Sequence, residues 1–261
     1  MKYYLPKFQI AALKGPQRKL RSKFGGLPWG LPLEHWSRCQ TCGRLMSLLA
    51  QLCHDPPALD LGGSKHVLHL FQCQECFGYE SGEGNDAVMI PVRKLGPKIT
   101  PLPEAEDLHG ILGSDLDRLV GELWIEGWKE VDDGLDPIPA KDAFNQRKWM
   151  ELPEADVNSM FDCRWRTKMG GIPYWTGNGP LDKPRRGYEF LFQLDNLIPL
   201  SGLPPKKQAN GKANAPWHIS VDKSAQGTFF VEITNLGTDG TAYFFINRSY
   251  NPAKVYWFWN R

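Results

Sequence analysis

SKFGGLPW, at residues 22–29, returns as TKMGGIPYW at residues 167–175. In both places a lysine precedes two glycines, an apolar residue and a proline, and a tryptophan follows. Glycine accepts the positive φ angles of tight turns, and proline fixes φ near one value. The two segments therefore predict the same rigid turn at two points of the chain.

Two apolar segments that follow these turns also correspond. LLAQL at residues 48–52 matches FLFQL at residues 190–194, with Gln51 on Gln193. VLHLFQ at residues 67–72 matches AYFFIN at residues 242–247, with Phe71 on Phe245. Because the three matches occur in the same order, they predict an internal duplication of one unit.

Both units are predicted to be rich in β-structure. Short apolar runs bounded by turn residues predict strands at residues 48–52, 66–71, 190–194, 227–233, 242–246 and 255–259. Asp239 and Gly240 predict a hairpin turn between the strands at 227–233 and 242–246. Helices are predicted only from Ser114 to Leu123 and from Ala140 to Met150. The predicted fold class is mainly β with minor helix (α+β), in two similar units about a pseudo-twofold axis.

The duplication divides the chain into four parts. We expect an N-terminal strand and basic lead at 1–21, a first β-rich repeat at 22–103, an acidic and partly helical connector at 104–166, and a second β-rich repeat at 167–261. The second repeat carries additional residues near 199–217, rich in Pro, Lys, Gly and Asn, which predict an exposed loop.

Four of the six cysteines form two Cys-x-x-Cys pairs, Cys39/Cys42 and Cys73/Cys76. Each pair can turn both thiolates towards one ion, and two pairs supply the four sulfur ligands that structural zinc favours. We expect a structural zinc held by these four residues in the first repeat. Unliganded thiols and redox disulfides remain as alternatives.

A catalytic zinc would need an open coordination position and a different ligand set. The nearby residues that could replace a cysteine ligand are Cys53, His54, His66 and His69. A closed sulfur site, in contrast, predicts a metal that stabilises the fold and does not catalyse hydrolysis.

Composition excludes several classes of protein. The 261 residues carry 31 basic and 29 acidic side chains, a net charge of +2, which excludes a globally basic nucleic-acid binder. No apolar run approaches the ~18 residues that a membrane-spanning helix needs. Residues 1–7 lack the apolar block and cleavage site of a signal peptide, so we expect a cytoplasmic protein with reduced thiols and no membrane contact. The oligomeric state is left open.

The matched turns and strands also supply candidate partner-binding residues. Trp29 and Trp175 are either part of the core or the rim of a binding cleft. Gln51 and Gln193 lie inside apolar runs, where an unpaired amide costs ~1–3 kcal/mol, so each either bonds backbone or faces a shared groove. The remaining candidates are Asp195 and Asp239.

The combined motifs resemble the YwqG-like family of bacterial proteins. The resemblance is carried by SKFGGLPW at residues 22–29, the cysteine pairs, HLFQC at residues 69–73, FLFQLD at residues 190–195 and the DGTAYFF segment at residues 239–245. It extends more distantly to the programmed cell death protein 2 family, which is regarded as protein-binding, with a chaperone role for a ribosomal protein. The resemblance implies a binding fold and not a particular reaction.

The leading functional hypothesis is a non-catalytic protein-binding protein, an adaptor or dedicated chaperone that receives a polypeptide in the cleft between the repeats. No hydrolase, phosphate-loop or dinucleotide-binding motif occurs in the sequence. One alternative is an enzyme that uses the cleft with His66, His69 and the two glutamines. Another is an RNA-binding protein that uses the basic clusters at 14–23 and 183–186 with nearby tryptophans.

Overall fold

A computed structural model describes residues 1–10, 17–76, 84–101, 122–132, 145, 148, 151, 167–175, 185–200, 221–223, 229–232, 236 and 240–260. These residues form β-strands with almost no helix, so the prediction of a mainly β protein is confirmed. Two short 3-10 turns occur, at Leu33–His35 and Val92–Lys94. The two predicted helices lie almost wholly outside the described residues, as do residues 201–217 of the predicted insert.

The described residues contain thirteen strands. They are β1 (Lys2–Ile10), β2 (Lys23–Phe24), β3 (Ser47–Cys53), β4 (His66–Gln72), β5 (Asn85–Pro91), β6 (Leu123–Asp132), β7 (Lys168–Gly170), β8 (Glu189–Asp195), β9 (Leu197–Leu200), β10 (Val221–Lys223), β11 (Phe229–Glu232), β12 (Thr241–Asn247) and β13 (Lys254–Asn260).

Ten of these strands form one antiparallel sheet in the order β13-β12-β8-β7-β1-β6-β2-β3-β4-β5. The sheet curls until its two edge strands, β13 and β5, meet. Where they meet, the Trp257 Nε1 of β13 donates a hydrogen bond of 3.1 Å to the Asp86 carbonyl of β5. The result is a nearly closed barrel. β9, β10 and β11 form a separate three-stranded sheet in the order β10-β11-β9.

The strand order has the same pattern on both sides of its centre. β1 and β6 pair along their whole lengths in the middle of the sheet. β6-β2-β3-β4-β5 extends to one edge, and β1-β7-β8-β12-β13 extends to the other. We call these the first half and the second half. The halves are joined edge to edge in one sheet, and the described residues do not form two separate units facing each other across a cleft.

Two expectations about the connections need correction. The acidic segment at 104–166, expected to be a connector, contributes the ten-residue strand β6 to the centre of the sheet. The hairpin predicted at Asp239 is wrong, because β11 pairs with β9 and β10 whereas β12 pairs with β8 and β13. The six predicted strands themselves are confirmed, as β3, β4, β8, β11, β12 and β13.

The interior of the sheet is filled by one continuous apolar core. Side chains on alternate positions of the strands point inward, as in Leu68 and Leu70 on β4, both fully buried. In the second half, the rings of Phe192, Phe244 and Trp257 stack with centroid distances of 4.0 and 5.0 Å. Burial of such large side chains contributes most of the stability of the sheet.

The outer face of the sheet is also covered, but by different material in each half. In the first half the cover is a cluster of residues from the segment before β3, from β3, β4 and β5 themselves, and from the turn after β4, and it includes two of the four cysteines: Leu31, Trp36, Cys39, Leu45, Met46, Leu48, Phe71, Cys73 and Ile90. In the second half it is an aromatic cluster built around Ile172, Trp175, Tyr243, Phe245 and Tyr256. Among the described residues, the cluster of cysteines therefore lies in the outer layer of the first half.

Candidate metal centre

The first cysteine pair lies on a tight turn that precedes β3. The N–H of Gly43 donates to the Cys39 carbonyl at 2.8 Å, and the N–H of Cys39 donates to the Arg44 carbonyl at 2.8 Å. Gly43 has a φ of 74°, a conformation that glycine adopts without strain. The turn directs the Cys39 and Cys42 thiols to one side, as a zinc knuckle requires.

The second cysteine pair begins directly after β4. The N–H of Cys73 donates to the Gly84 carbonyl at 2.7 Å, and the N–H of Cys76 donates to the Cys73 sulfur at 3.3 Å. Gly84, at a φ of +78°, lies so close to this turn that an added Cβ would be 1.7 Å from the Cys76 carbonyl oxygen. The second knuckle therefore depends on the absence of a side chain at residue 84.

The two knuckles bring all four predicted ligands together. The sulfur atoms of Cys39, Cys42, Cys73 and Cys76 all lie within 4.8 Å of one another. The Cys42 and Cys73 sulfurs are 3.8 Å apart. A tetrahedral zinc site with bonds of about 2.3 Å places its sulfur ligands about 3.8 Å apart, whereas a disulfide requires about 2.05 Å. The arrangement fits a tetrahedral metal site, and the five cysteines in the described residues are free thiols.

Burial disfavours the thiolate form of the two cysteines in the second knuckle. Burial raises the pKa of the Cys73 thiol to about 12, and burial also raises the pKa of Cys76. For Cys39 burial acts in the same direction, but hydrogen bonds from the Cys42 and Thr41 backbone outweigh it and lower the pKa. A divalent cation would supply the charge that stabilises four thiolates at this distance.

One ion pair joins the two knuckles beside the sulfur atoms. The Arg44 guanidinium lies 3.0 Å from the Glu75 carboxylate, and both side chains are partly exposed. Exposed pairs of this kind contribute little to stability, so the sulfur cluster would carry most of the attachment between the knuckles. These two residues were not among the sites predicted from the sequence. The available signal was a base two residues after one Cys-x-x-Cys pair and an acid inside the other.

The alternative ligands lie outside the cluster in the described part of the chain. His54 uses its Nδ1 atom to accept a hydrogen bond of 3.1 Å from the Leu61 N–H. Burial raises the pKa of Cys53 to about 11. His69 is completely buried, and neither of its ring nitrogens has a hydrogen-bond partner in the structure. The metal-ligating geometry belongs to the four cysteines of the two knuckles.

The matched glycine turns have the same internal bonding in both halves. Gln51 accepts a hydrogen bond of 2.7 Å from the Trp29 N–H, and Gln193 accepts one of 3.0 Å from the Tyr174 N–H. Gln51 also donates to the Arg21 carbonyl at 2.9 Å. Both amides are fully buried. Both glutamine side chains therefore hold the turns against the sheet. Of the two alternatives predicted from the sequence, they bond to backbone and do not face a shared groove.

Two buried lysines, one before each turn, were not selected as functional residues by sequence analysis. Lys23 donates to the Leu27 carbonyl and Lys168 to the Ile172 carbonyl, each at 2.5 Å. Burial lowers the pKa of Lys23, although the nearby carboxylate of Glu122 acts in the opposite direction. The sequence feature that could have marked them is the lysine found at the same position of both copies of the glycine motif.

The two lysines contact different side chains on, or directly before, the central strands. Lys23 lies 3.0 Å from the carboxylate of Glu122, the residue that precedes β6. Lys168 instead lies over the ring of Tyr3 on β1, 5.0 Å from its centroid. Both groups pack on the second glycine of the turn: an added Cβ would be 2.2 Å from Glu122 at Gly26 and 2.8 Å from Tyr3 at Gly171.

The structure buries most of the candidate partner-binding residues. Gln51, Gln193, Trp175 and Asp195 are at most 2% exposed, so their side chains do not reach a partner in this conformation. Trp29 is partly exposed. Asp239 lies outside the described residues.

No family model, curated protein or solved structure matches this chain. The resemblance to the YwqG-like family and to the programmed cell death protein 2 family therefore stays a prediction. Among the described residues, no helix combines the length and the hydrophobicity needed to cross a membrane.

Proposed function

We propose that Cys39, Cys42, Cys73 and Cys76 hold one structural zinc ion. The observation that carries this proposal is the approach of all four sulfur atoms to within 4.8 Å of one another. Four thiolates complete a tetrahedral coordination shell and leave no position for a substrate or a water molecule. The metal would therefore stabilise the fold and would not activate water.

The proposed zinc has a specific structural task. It attaches the turn at Cys39 to the turn at Cys73 and so holds the outer layer of the first half against the sheet. Trp36 in this layer donates its indole N–H to the Met46 carbonyl at 2.8 Å and packs 6.3 Å from the Phe71 ring. In the second half the same face is covered by aromatic side chains, and the described residues of that cluster include no cysteine.

We also propose that the two halves arose by internal duplication. The register of the strands supports this origin. Gln51 lies opposite Lys23 and His69, and Gln193 lies opposite Lys168 and Tyr243.

An irregularity in the ladders agrees with this correspondence. In β3 the register shifts at Leu49, and in β8 it shifts at Leu191, the residue that occupies the same place in the matched sequence. A β-bulge is a specific local feature, so its recurrence at the matched residue favours a common origin over a chance likeness of two sheets.

For the whole protein we propose a cytoplasmic adaptor or dedicated chaperone that binds a polypeptide without catalysis. Support comes from the outer layer of the first half, which presents apolar side chains to solvent. Leu33 is 56% exposed and Val92 is 38% exposed. Their segments are tied together because Gly30 donates to the Lys98 carbonyl and Gly96 donates to the Gly30 carbonyl, each at 2.7 Å.

Contiguous exposed apolar side chains mark sites that bind polypeptides, and we propose that Leu33 and Val92 belong to one such surface. The zinc would maintain this surface. No contact among the described residues favours the enzyme or the RNA-binding alternative over this proposal.

The zinc proposal is tested by elemental analysis of the purified full chain. We expect one zinc per chain and its loss in a Cys39→Ser/Cys73→Ser variant. Cys53→Ser is the matched control, since Cys53 is a neighbouring thiol outside the cluster, and it should retain the metal. A wild-type protein without stoichiometric metal would refute the zinc proposal.

The binding proposal is tested on proteins captured from a native lysate and then purified. A true client should bind directly to the pure chain, and Leu33→Ser with Val92→Ser should weaken that binding. Tyr250→Ser is the control, because Tyr250 is 47% exposed but lies in the turn between β12 and β13. Equal loss of binding in the control, or the absence of any direct client, would contradict the proposal.

A further inference from the structure

The four thiols differ in their access to solvent. Cys39 and Cys73 are buried, Cys76 is partly exposed and Cys42 is exposed. Cys42 belongs to the first knuckle, and its sulfur lies 3.8 Å from the sulfur of Cys73 in the second. An oxidant arriving from solvent therefore meets a thiol whose close neighbour belongs to the other knuckle.

We propose that this centre is an exchangeable clamp, in which a peroxide converts the metal-bound form into a Cys42–Cys73 disulfide that joins the same two turns. The inference rests on the zinc proposed above. It adds that the attachment between the turns survives when the metal is released.

The chemistry needs hydrogen peroxide as the oxidant and two protons from solvent. The Cys42 thiolate attacks one peroxide oxygen, the O–O bond breaks, and a sulfenic acid and a hydroxide ion are formed; solvent protonates the hydroxide to water. The Cys73 thiolate then attacks the Cys42 sulfur, an S–S bond forms, and the sulfenic oxygen leaves as a second hydroxide, which solvent also protonates to water. With only two of the four sulfur ligands left, the site would no longer hold a zinc ion, whose charge of +2 would be unchanged.

The geometry permits a disulfide between the knuckles that leaves the outer layer in place. Closing the gap from 3.8 Å to about 2.05 Å moves the two sulfurs together by about 1.8 Å. The backbone of each turn is held by its own hydrogen bonds, Cys39 to Arg44 and Cys73 to Gly84. A disulfide within one Cys-x-x-Cys pair would not join the two knuckles. The ion pair of Arg44 and Glu75 would then be the contact that remains beside the sulfur atoms.

The experiment uses the zinc-loaded full chain and hydrogen peroxide. Metal content is measured first, and peroxide is then added while a chromophoric chelator records zinc release. Disulfides are mapped by mass spectrometry of unreduced peptides. The difference in fluorescence between the wild-type chain and a Trp36→Phe variant isolates Trp36, one of ten tryptophans, in the outer layer. We expect zinc release in step with a Cys42–Cys73 disulfide and little change in fluorescence. Chelation under reducing conditions should change the fluorescence much more, because it removes the metal without replacing the attachment.

Each other outcome rejects part of the reasoning. A protein without zinc at the start rejects the proposed metal and the clamp together. Zinc at the start, followed by a Cys39–Cys42 or Cys73–Cys76 disulfide or by retention of zinc, rejects the clamp but leaves the structural zinc intact. Cys53→Ser should behave as wild type throughout, and a change in that variant would place the reactive thiol outside the cluster and overturn the proposal.

Discussion

The buried ion pair of Lys23 and Glu122 offers a sharp test of the matched turns. Lys23 is completely buried, and the side chain of Glu122 is only 6% exposed, with 3.0 Å between its carboxylate and the ammonium group. Glu122 also accepts a hydrogen bond from the indole N–H of Trp124. Replacement by glutamine keeps the shape but removes the charge opposite Lys23.

Loss of one partner from a buried pair leaves an uncompensated charge, which costs about 3–5 kcal/mol. In a chain of this size each kcal/mol lowers the melting temperature by about 2–4 °C, so Glu122→Gln should lower it by roughly 6–20 °C. The double variant Lys23→Met/Glu122→Leu removes both charges. It should recover most of the loss, because apolar replacements of a buried pair are often neutral or stabilising.

Thermal unfolding followed by circular dichroism measures both variants, with zinc content checked in each. Glu130→Gln is the matched control, since Glu130 forms a short ion pair with Lys2 in which both side chains are exposed. It should leave the melting temperature unchanged. If Glu122→Gln melted like this control, or if the double variant were less stable than the single one, the charge balance described here for Lys23 would be wrong.

Three further predictions concern the first half of the sheet. His69 is fully buried, burial lowers its pKa to about 3 from an ordinary 6.5, and the unfolded state therefore binds more protons between these values. The free energy of unfolding should fall by at most about 1.4 kcal/mol per pH unit as the pH drops below 6.5. In His69→Tyr, which places at residue 69 the side chain of Tyr243 in the second half, the midpoint of urea unfolding should change less between pH 6.5 and pH 5 than in the wild type. Gly84→Ala should weaken zinc retention against a chelator, because its Cβ would collide with the Cys76 carbonyl, and unchanged retention would contradict the described turn. Removal of zinc under reducing conditions should lower the melting temperature strongly, since apparent binding free energies at structural zinc sites reach about 10–16 kcal/mol. Calorimetry with and without added zinc measures this change. Equal melting curves would exclude a structural metal.

Local patterns in the sequence predicted much of this architecture. The glycine turns, six of the strands and the arrangement of the four cysteines in two turns are all determined by neighbouring residues. A Cys-x-x-Cys pair turns its thiols together, and an apolar run bounded by turn residues favours a strand. The pairing of Phe71 with Phe245 in the sequence also agrees with the strand registers.

Long-range pairing was not predictable in the same way. β6 is half polar, with the sequence LWIEGWKEVD, because one of its faces meets solvent. Its acidic residues favoured a connector, although its position beside β1 makes it a central strand. The hairpin at Asp239 failed for a related reason, since a turn dipeptide says nothing about which partners the flanking strands choose elsewhere.

The buried lysine of each glycine turn contacts a different side chain in the two halves. Lys23 pairs with the Glu122 carboxylate at the first turn, and Lys168 lies over the ring of Tyr3 at the second. Each of these side chains lies on, or directly before, the central strand that pairs with the short strand of the lysine in the same half. A carboxylate in low dielectric gives a stronger but more costly partner than a ring. Tyr3→Leu should therefore destabilise the protein less than Glu122→Gln in the same melting experiment, and the reverse order would show that charge balance does not govern these positions.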